Sequence, residues 1–193
     1  MKRTLFALVL AAACGAAFAQ DAEVRRHPAF VDGSAFVDLA GENGELVEVS
    51  IGPALLNAIV SGDGKQGAGE LSALSGLKGI YAYVVGLEND PVRTEKARKL
   101  AADIEAKLVR EGWERVVRVR DKGERVNVFT KPGRAGERKV DGLVVLVFED
   151  GGEGEGSEVV FCNLVGTIDL AKLGAISESM NVPGLDQIPG DSK

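Results

Sequence analysis

Histidine and tryptophan each occur once in 193 residues, cysteine occurs twice, and aromatic side chains make up only 5% of the chain. Each scarcity excludes a class of chemistry. Ordinary zinc sites draw on several His or Cys ligands, and a serine or cysteine triad needs a histidine base beside its nucleophile. The single histidine, His27, sits in a polar stretch ahead of the first patterned segment, and no Gly-x-Ser-x-Gly elbow occurs. Long apolar runs are missing as well: Leu5 to Ala13 is about half of the roughly 20 residues that a membrane-spanning helix needs. Positive charge is in deficit, with 23 Lys and Arg against 29 Asp and Glu, a net charge of −6 and a pI near 5.0. That balance disfavours bulk nucleic-acid binding.

What is present begins with a leader. Lys2 and Arg3, the apolar run and Ala17-Phe18-Ala19 before Gln20 form an export signal expected to be cut after Ala19. Cys14 opens an alternative, lipid attachment at the cleavage point. Leu10-Ala11-Ala12-Ala13 departs from a lipobox, which has leucine three places before the cysteine, so the periplasmic reading is preferred. Losing Lys2 and Arg3 takes the charge from −6 to −8. Only Cys162 then remains, so no internal disulfide can form although the compartment would permit one. Within Val159-Val160-Phe161-Cys162 that thiol reads as a small buried hydrophobe rather than a reactive group. The expected division is a signal peptide over 1–19, a flexible lead-in over 20–29, one α+β domain over 30–178 and a flexible tail over 179–193.

Periodicity supplies the elements. Leu46 to Ile51 reads as a strand, Pro53 opens a short helix over Ala54 to Val60, Gly62 to Gly69 is a linker, and Leu77 to Val85 is a central strand. A long helix runs from Pro91 to Glu111, capped by Asn89 or Asp90 and ended by Gly112. Its apolar stripe is Ala97, Leu100, Ala101, Ile104 and Leu108, with Glu95–Lys99 and Asp103–Lys107 as pairs four apart. The period then changes to two over Trp113–Arg120 and Arg125–Lys131, with a turn at Asp121-Lys122-Gly123-Glu124. Leu143–Phe148 and Glu158–Val165 are nearly continuous apolar runs, read as the most buried strands and as a second hairpin. Asp169 is expected to cap a short helix through Leu173. The order is a strand, a short helix, a strand, a long helix, then four strands and a short helix. It predicts an α+β fold whose largely antiparallel sheet has one long helix and short helices packed on one face.

Several of these segments carry a resemblance. The Phe-Val-Asp start at Phe30, Val47-Glu-Val-Ser-Ile-Gly52, Leu74-Ser-Gly-Leu-Lys-Gly-Ile80, the tryptophan hairpin ending in Val128-Phe-Thr-Lys131, and Val165-Gly-Thr-Ile-Asp-Leu170 resemble the DUF4252 family over roughly Phe30 to Ser177. The resemblance implies a small exported bacterial protein with a single α+β domain. It brings no catalytic motif.

Each candidate site also has a plainer reading. Gly62-Asp63-Gly64-Lys65-Gln66-Gly67 has the spacing of a dinucleotide loop, but a helix precedes it where a strand is required, and it reads as a linker. Gly151 to Gly156 has one copy of a glycine-acid pattern and reads as a solvated hairpin loop rather than a calcium site. Paired carboxylates, Asp32 with Asp38 or Glu45 with Glu48, offer acid–base chemistry that spacing alone does not select. No cofactor, metal or catalytic set is expected.

Charge segregation is more informative. Arg93 to Lys139 holds fifteen bases against eight acids, and Asp141 to Val160 holds six acids and no base. A turn at 121–124 sets Arg120 opposite Arg125, Arg118 opposite Asn127, Val116 opposite Phe129 and Glu114 opposite Lys131. One side of the hairpin is then basic, and the other, with Trp113, Val117, Val119, Val126 and Val128, is the expected core face. Like charges directly opposite need an anionic neighbour or water. The acidic loop could supply it within the domain, which makes this a solvated face; otherwise Arg118, Arg120, Arg125 and Lys131 contact an anionic partner such as an envelope protein, lipid head groups or polysaccharide. The expectation is an exported envelope protein that binds rather than catalyses. Its rivals are a carboxylate-dependent envelope hydrolase and an accessory of an envelope signalling system.

Overall fold

In the computed structural model, residues 22–42, 44–61, 75–133, 139–151 and 156–169 are described. The leader, the glycine linker, residues 152–155 of the acidic loop, and the closing helix and tail lie outside them. Six strands form one sheet: β1 (Leu46–Ile51), β2 (Leu77–Gly86), β3 (Glu114–Asp121), β4 (Glu124–Pro132), β5 (Lys139–Glu149) and β6 (Glu158–Asp169). Among the described residues two longer helices accompany them, α1 (Pro53–Ser61) and α2 (Pro91–Arg110). The stretch before β1 forms a 3-10 helix over Ser34–Leu39. The strand order is β1-β2-β6-β5-β4-β3 and every neighbouring pair is antiparallel. The fold is therefore α+β.

Antiparallel pairing with period-two side chains gives the sheet two distinct faces. On the face toward α2, Tyr81, Tyr83 and Val85 of β2, Val159 and Phe161 of β6, Val144, Leu146 and Phe148 of β5 and Phe129 of β4 pack with Ala97, Ile104 and Leu108 of the helix. On the opposite face Val117, Val126, Val128, Leu143, Val145 and Val147 form a second buried cluster. The strand β5 is buried on both sides, which is why its sequence runs apolar without alternation.

Both ends of α2 follow from single residues. The Asp90 carboxylate accepts the N–H groups of Val92 at 2.8 Å and Arg93 at 3.2 Å, and Pro91 occupies the first turn, where a missing N–H costs nothing. At the other end Gly112 takes φ +79°, its N–H bonds the Val109 carbonyl at 3.1 Å, and the Trp113 N–H bonds the Leu108 carbonyl at 3.0 Å. This is a Schellman end, with the accompanying apolar contact made by buried Leu108 and Trp113. The exposed ion pairs differ from those that spacing suggests: Glu95 meets Arg98 at 3.7 Å rather than Lys99, and Glu111 meets Lys107 at 4.0 Å where Asp103 was expected. Such pairs contribute little.

Two expectations are corrected by the packing. Residues 22–29, expected to be a loose lead-in, include a helical turn over 22–25, and Val24 and Ala29 are buried at 2% and 0% exposure. Asn163 of β6 anchors this stretch: its Oδ1 accepts the Val31 N–H at 2.9 Å and its Nδ2 donates to the Ala29 carbonyl at 3.1 Å. The second correction is a β-bulge at Val116. Arg120–Arg125 and Arg118–Asn127 pair as expected, but Arg115 then pairs with Phe129 and Glu114 with Thr130. One extra residue in β3 reverses the alternation, so Trp113 and Arg115 turn to the α2 side while Val117 and Val119 stay on the other.

Candidate functional site

The register places the basic residues of the hairpin on a grid. Arg118, Asn127 and Leu146 sit side by side on β3, β4 and β5, and Arg120, Arg125 and Phe148 form the next row on the same face. Neighbouring strands lie about 4.8 Å apart and alternate residues about 7 Å apart, so three guanidinium stems and one amide share a small patch. This is the α2 side of the sheet. Arg98, Ala101, Ala102 and Glu105, at one-turn and two-turn spacings along α2, form the facing wall. Two alanines in succession leave space that larger side chains would fill, and the result is a crevice of about 200 Å³ floored by Leu146 and Phe148.

Four guanidinium groups and one carboxylate line this crevice. The carboxylate is already engaged: Glu105 accepts from Arg115 at 2.8 Å and from Nδ2 of Asn127 at 3.0 Å. Arg98 meets Asp150 and lies 5.1 Å above the Phe148 ring. No carboxylate among the described residues lies within ion-pair distance of Arg118, Arg120 or Arg125. Two polar atoms are left over. Nε of Arg98 and Oδ1 of Asn127 are buried without a hydrogen-bond partner, and Asn127 is only 8% exposed. Unmatched buried polar atoms are uncommon in folded proteins, and a water, an ion or a ligand would complete the bonding of these two.

Of the acidic loop expected to balance these arginines, Asp150 meets Arg98 and residues 152–155 lie outside the described residues; the acids of the strand ends point to the other face. Asp121, Glu124, Glu149 and Glu158 pair in succession across β3 to β6, one residue along from the Arg120–Arg125–Phe148 row. Alternation therefore sends them to the other face of the sheet. Burial and its neighbours Glu149 and Glu45 push the Glu158 carboxyl above its usual range.

Of the four expected contact residues, Arg118, Arg120 and Arg125 are brought together and Lys131 is not. Lys131 lies at the far end of β4, where its ammonium donates to the Glu111 carbonyl at the end of α2 and lies 5.9 Å from the Trp113 ring. A cation there complements the helix dipole, so its role is to hold the helix end. The crevice residues missed from sequence are Arg98, Glu105 and Asn127. The spacing of Arg98 and Glu105 on one helix edge, flanking Ala101 and Ala102, was the available signal.

Asp32, His27 and Cys162 sit in local structural surroundings. The Asp32 carboxyl accepts the Ser34 N–H at 2.9 Å, which holds it below the usual range. Nδ1 of His27 accepts the Ala29 N–H at 3.2 Å, and burial followed by nearby Lys78 lowers its pKa despite Asp141. Burial pushes the Cys162 thiol up to about 11, the mark of an unreactive cysteine. Among the described residues no three His, Cys, Asp or Glu side chains are grouped to hold a metal ion.

A family model described as a domain of unknown function, DUF4252, matches residues 41–176, a span that contains every crevice residue. No curated protein and no solved structure matches the chain.

Proposed function

The chain belongs to the DUF4252 family, and on that premise we propose that it is an exported envelope protein that works by binding, engaging an anionic partner through the crevice between α2 and the β3–β4 hairpin. One observation carries this reading: Arg118, Arg120 and Arg125 share one face without a carboxylate partner among the described residues, while the acids of the same strand ends point to the other face. Arg120 directly opposite Arg125 costs tenths of a kcal/mol in the free protein, a cost that an arriving anion removes. Guanidinium groups also suit the task, since each presents a planar fork of donors to carboxylate or phosphate and stays charged at any physiological pH. The leader pattern, Lys2 and Arg3 before Leu5–Ala13 and Ala17-Phe18-Ala19, supports export.

The test is retention of the purified chain on anionic vesicles and on cell-wall polymer. Replacing Arg118→Glu together with Arg125→Glu is expected to abolish retention while the thermal midpoint moves by less than about 2 °C, because Arg118 is exposed, Arg125 is only half-buried and neither holds an ion pair among the described residues. Unaltered retention in the double variant would reject this surface.

A further inference from the structure

The crevice is more selective than a basic patch, because one of its buried groups is an acceptor. Resting on the binding role given above, we propose that it takes a phosphate ester whose carrier bears a free hydroxyl, about the size of glycerol phosphate. The phosphate sits against Arg118, Arg120 and Arg125, and the hydroxyl donates to Oδ1 of Asn127.

Three features carry this. A single carboxylate is satisfied by one guanidinium fork, whereas three adjacent guanidinium groups on the grid match the several oxygens of a phosphate. Asn127 then narrows the choice. Its Nδ2 is committed to Glu105 at 3.0 Å, which fixes the amide with Oδ1 as the unmatched atom, buried among cations. An unprotonated phosphate oxygen cannot satisfy an acceptor, but a carbon-borne O–H on the ligand can. The buried Nε of Arg98 is the complementary donor, available to an ester or phosphate oxygen. Size sets the last limit. About 200 Å³ falls below the roughly 300–1,000 Å³ of sites that enclose drug-sized ligands, so the crevice suits a phosphorylated three-carbon unit better than a whole nucleotide. The apolar floor of Leu146 and Phe148 accepts its carbon skeleton.

Calorimetry on the purified chain at physiological ionic strength, with inorganic phosphate, ethyl phosphate, glycerol phosphate and glycerol, separates these contributions. Glycerol phosphate is expected to bind about tenfold more tightly than ethyl phosphate, the size of one net hydrogen bond to a buried group, and glycerol alone not at all. Arg118→Gln and Arg125→Gln should each weaken glycerol phosphate tenfold or more, and Asn127→Ser should erase its advantage over ethyl phosphate. Vesicles of phosphatidylglycerol and of phosphatidylcholine identify the source. Retention on the former alone, competed by glycerol phosphate, assigns a lipid head group; binding of glycerol phosphate without vesicle retention assigns a soluble or polymer-borne ester. Equal affinity for the two phosphate esters overturns the hydroxyl contact. No phosphate binding, with retention on cell-wall polymer still sensitive to the arginine substitutions, overturns the phosphate ester and leaves the anionic-partner reading standing. Loss of both findings removes both.

Discussion

Two asparagines on the α2 side of the sheet, Asn163 and Asn127, are buried and used in opposite ways. Asn163 is fully bonded, accepting from Val31 and donating to the carbonyls of Ala29 and Leu143 at 3.1 and 3.2 Å. It ties the chain ahead of β1 to the middle of the sheet. Asn163→Ala strands those buried backbone groups and is expected to cost about 3 kcal/mol, lowering the thermal midpoint by roughly 6–12 °C in a domain of this size. A midpoint within 2 °C of the parent would show that the segment holds by apolar packing alone. Asn127 keeps one atom unmatched beside four arginines, which suits a ligand group better than a structural one. Neither role was legible in the sequence. A polar residue in Phe161-Cys162-Asn163-Leu164 is visible as an exception in a buried strand, but its partners lie more than 130 residues away in Ala29 and Val31.

At the scale of elements, legibility tracked how local the cause was. Pro91, Asp90 and Gly112 bound α2 within one residue, and Lys122-Gly123, both at positive φ, turn the first hairpin where spacing placed the turn. The bulge at Val116 was not legible, because Val116 and Val117 are equally good strand residues and only pairing with β4 decides which is extra. That single insertion moved Trp113 from one core to the other. The acidic row on the opposite face provides a test of register. Glu149 lies directly between Glu124 and Glu158, and Glu158 is raised by burial first and by Glu149 next. A carboxyl raised in the folded state favours folding at acid pH, and its contribution is lost as pH rises through its folded pKa. Glu149→Gln should therefore raise the midpoint at pH 7 by about 1–3 °C, for a cross-strand repulsion of about 0.2–1 kcal/mol, with the gain fading once the carboxyls are protonated. An equal gain at pH 3 and pH 7 would argue against charge as the cause.

At the scale of the molecule, the two hairpins β3–β4 and β5–β6 were readable as neighbours in sequence. The insertion of β2 between β1 and β6 was not, since that pairing joins Leu77–Gly86 to Glu158–Gly166 across the whole intervening chain. The site depends on the same non-local geometry. Sequence composition showed basic and acidic segments, and one side of the hairpin read as basic; only the assembled sheet shows that Asp121, Glu124, Glu149 and Glu158 face away from the arginines and that α2 closes a crevice over them. The most direct measurement of that claim is an NMR titration of the purified chain with inorganic phosphate, following the arginine Nε–H and asparagine side-chain signals. The account predicts saturable shifts for Arg98, Arg118, Arg120, Arg125 and Asn127, with Arg110 and Asn163 unmoved. Shifts of equal size across all arginines, or none at the crevice, would contradict it.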